Sequence, residues 1–466
     1  MNIYLLLIFG FAVRLINLNQ SLWLDEAIGA KVVKTIPLFQ IPVQFSPGDF
    51  HPPLYYMFMS FWSNIFGFSE ISLRMPSVIF SLVAGWYVYK IGKEIKNKPF
   101  GLWSALFFLF NPLTIYYSQE VRMYMMATML LSISLYYFLL FLKENKFSPF
   151  SKNIIYFNLF SALAMFVFYG SAFFIIAMIM VGGVCIISRK KGKLSAGIFT
   201  KLVECVGMTG GLIISLLILS PVLSQQIVNA QAGLADLKNW SMTLGKAEIK
   251  NVLMIFLKFA TGRLSWYPKW SYYLVAGIPT VITWFFIGLG MKKNKTFAYL
   301  LILPLLFGIF VSFWAPMMMY FRFLYLLPLM SLLLSFGISY LPKSKNIYMG
   351  MAIILLVFSL TYLLTPQFHR EDWKNLTRDI DSTQPVYMIV PSSDPVIYYN
   401  SMISLFEIRD IKKLNVPEHI QVIPYVEEIY GYSHTIELEK KGCIKETQSE
   451  YRGNLILEKW KCLRNA

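Results

Sequence analysis

Apolar side chains run along this chain in long unbroken blocks, without the strict alternation of a half-buried strand or the one-sided spacing of a surface helix. Eleven blocks are long enough to cross a bilayer core of roughly 30 Å as helices. They fall at residues 3–18, 72–90, 99–117, 124–142, 154–170, 171–187, 202–220, 271–290, 296–314, 320–340 and 347–364. The block Leu54 to Phe66 reaches only about 20 Å as a helix and follows Pro52-Pro53, so it predicts an interfacial or re-entrant helix inside the loop 19–71. A second long loop, 221–270, shows helical periodicity over 222–237 and 249–260. With Trp240, Trp266, Tyr267 and Trp270 as interfacial aromatics, it predicts helices lying along the membrane surface. After Thr365-Pro366 the pattern changes to a polar helix near 372–381, a strand near 386–391, a helix near 395–401 and strands near 421–425 and 455–460. The expected fold is mainly α, a polytopic helical bundle over 1–364 followed by a small α/β domain over 365–466.

Composition agrees, since 56% hydrophobic against 14% charged residues is more apolar side chain than one soluble core buries. The net charge of +17 raises nucleic acid as a partner, and the placement of the charge removes the need for it. Turns 90–98, 143–152, 189–201, 292–295 and 343–345 hold 17 of the Lys and Arg residues against only Glu94 and Glu144. Positive charge confined to alternate loops marks the cytoplasmic side. The loops 19–71, 118–123 and 221–270 and the segment 365–466 then lie outside the cell membrane. Of four cysteines, Cys443 and Cys462 share that outer compartment, where a disulfide can persist; two unpaired thiols fit the sequence equally well. Cys185 and Cys205 fall near cytoplasmic span ends.

Polar chemistry collects where the outer loops meet the spans. Asp25 and Glu26 sit just past the first span, where a carboxylate can remove a proton from an acceptor hydroxyl; a surface-helix first turn would also favour two acids there. His51 stands before two prolines that hold its imidazole at the interface, where it can donate to an anionic group such as a phosphate or serve a structural role. Arg74, Arg122 and Arg322 each lie at the outer end of a span, where a guanidinium can meet a phosphate bidentately or simply snorkel to headgroups. Gln119, Glu120 and Tyr124 occupy the turn after 99–117 and offer the amide, acid and phenol that grip sugar hydroxyls. Arg14, inside the first span, calls for a partner such as Asp25 or Glu26.

The ordered motifs W-L-D-E-A (23–27), H-P-P-L-Y-Y (51–56), F-G-x-S-E-x-x-x-R-x-P-S (66–77) and N-P-x-x-x-Y-Y-S-Q-E-x-R-M-Y (111–124) resemble the GT-C superfamily of membrane glycosyltransferases. They are most similar to the family 39 type, which includes protein O-mannosyltransferases and lipid A aminoarabinose transferases. The resemblance covers about residues 10–130, with weaker echoes at Tyr320-Phe321-Arg322, Leu327-Pro328 and Glu371-Asp372-Trp373-Lys374. It implies a polyprenyl- or dolichyl-phosphate-linked sugar donor, an outward-facing site and inverting transfer. Asp25 takes the position of the base and Glu26 that of its neighbour. His51 stands where the protein mannosyltransferases have histidine and the aminoarabinose transferases lysine. No MIR-type insert interrupts the outer loops, which weakens a eukaryotic-style protein acceptor and leaves glycan, lipid or protein open. A divalent cation bridging Asp25 or Glu26 to the phosphate is compatible with the sequence but not required by it. The rival reading is a transporter or flippase of a lipid-linked saccharide, which uses the same arginines without breaking a bond.

Overall fold

The structure, a computed structural model, describes residues 2–144, 151–188, 198–236, 239, 244–413 and 416–462. The expected features at Lys146, Arg189, Lys190, Lys191, Lys193, Leu237 and Trp240 lie outside these residues.

Each of the eleven apolar blocks is largely helical. Six helices are long and apolar enough to cross a membrane unaided: Glu70–Ile95, Tyr124–Leu142, Lys201–Ala230, Lys269–Lys293, Tyr320–Ser339 and Ser344–Leu364. Lys98–Leu109 and Pro112–Ser118 form a bent pair at 61° that makes a seventh. Four blocks form shorter apolar helices, Ile3–Leu15, Lys152–Val167, Ser171–Ile187 and Lys295–Val311, so length and composition by themselves establish six or seven of the eleven expected crossings among the described residues. Leu54–Phe66 is a 13-residue helix, the length expected for a piece that does not cross. Among the described residues, the turns at 90–98, 143–144, 292–295 and 339–345 meet at one end of the bundle. Lys143 pairs with Glu94 at 2.9 Å, Lys96 bonds Ser339 at 2.8 Å, and Lys96 and Lys293 both sit over the Tyr340 ring.

The loop expected to begin at residue 221 does not. Gly210–Asp236 is one continuous helix through Pro221, because the apolar period of the span runs directly into that of the supposed surface helix with no break strong enough to end it. Its Gln226 and Asn229 amides bond the Ser46, His51 and Pro47 carbonyls of the 19–71 loop. Ile249–Thr261 is helical where a surface helix is expected.

Beyond the last long helix, a five-stranded sheet has the order β2-β1-β3-β5-β4, with β1 Val386–Met388, β2 Leu405–Glu407, β3 His419–Val422, β4 Cys443–Tyr451 and β5 Leu455–Cys462. β1 is parallel to β2 and β3, and the β4–β5 hairpin adds antiparallel to β3. The period of two sends Val386 and Met388 into a core with Trp373 and Val396, and Tyr387 and Ile389 into a second core with Leu438 and Trp460. Cys443 and Cys462 face each other across the hairpin register and are bonded as a disulfide. This sheet unit packs on the 19–71 loop. Lys31 pairs with Asp394 at 2.7 Å, the Leu22 N–H donates to the Tyr399 hydroxyl at 2.8 Å, and Lys374 pairs with Glu70 at 3.1 Å.

One buried cluster is expected to make the sheet unit pH-sensitive. His434 lies between Glu427 (2.9 Å) and Glu458 (2.7 Å), with Trp460 also donating to Glu458. Burial pushes the imidazole pKa down, but the two carboxylates outweigh it and raise it to about 9. A raised histidine pKa stabilises the fold fully below its ordinary 6.5 and loses that stabilisation as pH rises through about 9. Hydrogen-exchange protection of the β5 amides, corrected for intrinsic rates, is expected to fall between those values, and His434→Gln to flatten the fall. An identical alkaline loss in that variant would remove His434 as its cause.

Candidate active site

The Leu24–Thr35 helix opens with Asp25 and Glu26 in its first turn, where the positive end of the helix dipole favours acids. The two then diverge. Glu26 points inward and is fully buried, reaching back to the Trp23 N–H at 3.3 Å and accepting from the Val121 N–H at 2.8 Å and twice from Arg74, at 3.1 and 2.6 Å. Burial alone raises a carboxyl pKa, yet Arg74, Arg370 and these hydrogen bonds hold Glu26 below the usual range. Asp25 points outward, its side chain 35% exposed, with Arg122 at 3.4 Å.

Arg74 is also fully buried. Besides its two bonds to Glu26 it donates to the Leu18, Gln20 and Ser21 carbonyls, which uses all five guanidinium donors. Expected as a phosphate ligand, it has no donor left for one and instead ties the chain leaving the first helix to the carboxylate beside Asp25. Glu26, expected as catalytic, has both oxygens committed to that tie. Arg14 meets neither acid; it donates to Ser81 Oγ at 2.8 Å and to the Gly10 and Leu109 carbonyls at 2.9 Å.

The bend after Leu109 delivers the second motif. Asn111 caps the Pro112–Ser118 helix by accepting from the Leu113 and Thr114 N–H groups. Gln119, buried and expected to touch sugar, donates to the Arg14 and Ile16 carbonyls at 2.9 and 2.7 Å; only its Oε1 is without a partner. Glu120 Oε1 accepts from Trp23 Nε1 at 3.1 Å, while the buried Oε2 has no hydrogen-bond partner among the described residues. Burial drives the Glu120 pKa up to about 7, with Glu26 adding to the rise and Arg370, Arg263 and Arg122 opposing it. Tyr124 lies beside Arg122, whose guanidinium is 5.9 Å from the ring centroid. His51 sits 3.4 Å from Asp49, whose carboxyl is held below its usual pKa, against burial, by His51 and by Arg122. The Arg322 side chain makes one hydrogen bond among the described residues, to the Pro316 carbonyl at 3.2 Å.

Asp25, Glu26, Arg74, Glu120 and Arg122 thus form one continuous cluster, with Gln119 in its wall and His51 joined through Asp49. Two arginines absent from the sequence reading complete it. Arg370 lies 3.7 Å from Glu26 and 3.9 Å from Glu120; its only sequence signal was adjacency to the Glu371–Lys374 echo. Arg263, solvent-accessible, bonds the Tyr116 hydroxyl and senses Glu120 and Tyr320; its signal was a lone outer-loop arginine just before Trp266. Among the described residues no three His, Cys, Asp or Glu side chains converge as a metal group. With Glu26 committed to Arg74, Asp25 is the one carboxylate of the motif able to turn toward a cation, a poor fit for a bridging divalent ion.

Residues 50–224 match the family model for dolichyl-phosphate-mannose-protein mannosyltransferase. No curated protein matches the chain significantly. Among solved structures, ArnT from Cupriavidus metallidurans in the apo state is 10% identical with a TM-score of 0.60, covering 98% of this chain and 97% of its own. The same protein bound to undecaprenyl phosphate gives 0.59 at 10% identity, with the same coverage. The archaeal oligosaccharyltransferase AglB from Archaeoglobus fulgidus, in complex with an inhibitory peptide and a dolichol-phosphate, is 9% identical with a TM-score of 0.51, covering 95% of this chain and 72% of its own. Motifs, family model and architecture agree, and the chain resembles the GT-C superfamily of membrane glycosyltransferases and has its fold.

Proposed function

We propose that this protein is an integral-membrane glycosyltransferase that moves a sugar from a polyprenyl-phosphate-linked donor to an acceptor hydroxyl on the outer face of a cell membrane. The observation that carries the reading is the division of labour between neighbouring acids. Glu26 is locked by Arg74, whereas Asp25 is accessible and flanked by Arg122, with Arg263 interacting with Glu120 and Arg322 with Tyr124 and Arg122.

In the proposed step Asp25 takes the proton of the acceptor hydroxyl and the oxygen attacks the anomeric carbon. The bond from that carbon to the phosphate oxygen breaks with its electron pair passing to the phosphate, and the configuration inverts. Arg122, Arg263 and Arg322 stabilise the departing phosphate electrostatically. Glu120 Oε2, buried and unpartnered, is suited to a sugar hydroxyl, with Tyr124 beside it. An apolar cavity of about 300 Å³, lined by Val252, Ile255, Phe256, Trp284, Leu305 and Met318, suits a polyprenyl chain, and its lining residue Met318 lies four positions before Arg322 in the sequence. The undecaprenyl phosphate named for the ArnT structure is the same class of ligand.

The test is purified protein incubated with a panel of labelled polyprenyl-phosphate sugars, reading transfer and slow donor hydrolysis. One donor is expected to be cleaved. Saturable movement of the lipid-linked saccharide across a vesicle membrane with every glycosyl–phosphate bond intact would replace the reading with the transporter.

Orientation is tested separately. A cysteine replacing Met402, 88% exposed in the sheet unit, is expected to react with a membrane-impermeant thiol reagent on intact cells, and one replacing Lys345 to stay unlabelled. The reverse pattern would place the site in the cytoplasm.

A further inference from the structure

Arg370 belongs to the segment that leaves the last long helix, yet its guanidinium lies inside the cluster built by the first outer loop and the 119–123 turn. It is buried, with Nη1 3.3 Å from the Tyr362 hydroxyl, Nη2 3.2 Å from the Tyr116 carbonyl and the guanidinium 4.4 Å from the Tyr116 ring centroid. It reaches Glu26 at 3.7 Å and Glu120 at 3.9 Å, so a single cation stands between two buried carboxylates that would otherwise repel. Its Nε and Glu120 Oε2 are both without a hydrogen-bond partner among the described residues.

The backbone that carries Arg370 is gripped from the sheet unit. Arg452, at the tip of the β4–β5 hairpin, donates from Nε to the Arg370 carbonyl at 2.7 Å, and its own carbonyl accepts from the Asp372 N–H at 3.0 Å. Gly453 has φ +85°, and a Cβ there would stand 2.7 Å from the Glu371 Cα, so the tip and the 370–372 backbone are in direct contact. At its other end the hairpin is closed by the Cys443–Cys462 disulfide. On the far side of the segment, Gln20 Oε1 accepts from the Arg370 N–H at 3.0 Å.

We infer that Arg370 is a positioning residue, set in place by the tip of the β4–β5 hairpin, that holds Glu26 and Glu120 together and so makes the geometry of the site depend on the docked sheet unit. The inference rests on the proposed transfer for its kinetic readout only. Four charged groups face Glu120, namely Arg370, Glu26, Arg263 and Arg122. Arg370 is foremost among those favouring its ionised form, so displacing it drives Glu120 toward the protonated form.

A double-mutant cycle tests the linkage. Arg452→Ala is expected to slow transfer roughly tenfold in the wild-type background and to add nothing in an Arg370→Gln background, the non-additivity of groups that act through one another. Arg452→Lys, which keeps a donor for the Arg370 carbonyl, is expected to restore the rate; additive losses in the cycle would overturn the inference. An infrared titration needs no activity. The carboxyl C=O band lost in Glu120→Gln is expected to titrate at higher pH in both Arg370→Gln and Arg452→Ala, and near its wild-type position in Arg370→Lys. A band unmoved in Arg452→Ala, in protein whose Cys443–Cys462 bond is intact by mass, would also overturn it. If the band moves while wild-type protein cleaves no donor, the positioning role stands and the proposed activity falls.

Discussion

Asp25→Asn is expected to lower sugar transfer by about 10²–10⁴-fold, the usual contribution of a general base, while leaving donor affinity unchanged. The replacement is isosteric, and its amide oxygen can still accept from Arg122, now 3.4 Å from the carboxylate, so the orientation of that arginine and the packing of the Leu24–Thr35 helix are retained. What is lost is the capacity to take a proton. Single-turnover transfer measured alongside binding of polyprenyl phosphate separates the two effects. A variant that transfers at the wild-type rate removes Asp25 from the chemistry. One that loses donor binding in proportion assigns it a place in the phosphate site instead. The neighbour gives the contrast, because Glu26→Gln changes a group with no accessible oxygen and is expected to act first on stability.

The contrast between these two acids marks where sequence reading ends. The W-L-D-E-A motif just past the first apolar block and the polar turn at 118–124 are local features, and that they come together was legible. Which of two adjacent carboxylates faces the cleft depends on a helix phase fixed by Arg74, and Arg74 comes from a different helix. For the same reason Arg74, Arg122 and Arg322 look alike in sequence, each at a span end, although Arg74 has spent every donor on Glu26 and three carbonyls. Arg370 was hidden because a residue more than 300 positions from Glu26 in sequence enters the site through the docking of the sheet unit. In that unit, strands with buried apolar residues such as Val386–Met388 and Leu455–Cys462 were readable. β4 was not, because between Cys443 and Tyr451 six of its residues are polar and it lies mostly exposed at the sheet edge. The helix 210–236 was divided at residue 221 into a span and a surface helix because the two apolar periods look alike in sequence, and Pro221 does not end it, since in an apolar helix neighbouring groups satisfy the backbone a proline frees.

Arg74→Ala is expected to cost about 3–5 kcal/mol of stability, the range for removing one partner of a buried ion pair, and to lower the thermal midpoint in detergent by more than any other single change in the cluster. The expectation is stronger here than for an isolated pair. Glu26 would be left charged in a fully buried position, with Arg370 at 3.7 Å its one remaining ion-pair partner among the described residues, and the carbonyls of Leu18, Gln20 and Ser21 would lose their common donor. Replacing both partners with apolar residues, which often rescues a buried salt bridge, is expected to fail for that reason, since the three carbonyls and the Val121 N–H that Glu26 accepts would remain unsatisfied. Lysine is a poor substitute as well, because three donors on one nitrogen cannot serve a carboxylate and three carbonyls in the planar arrangement of a guanidinium. The same experiment decides between a structural and a ligand role. An Arg74→Ala protein with an unchanged midpoint and weakened binding of polyprenyl phosphate would return Arg74 to the phosphate site. A large loss of stability, with Arg263→Ala and Arg322→Ala weakening donor binding at an unchanged midpoint, would separate the arginine that builds the site from those that serve it.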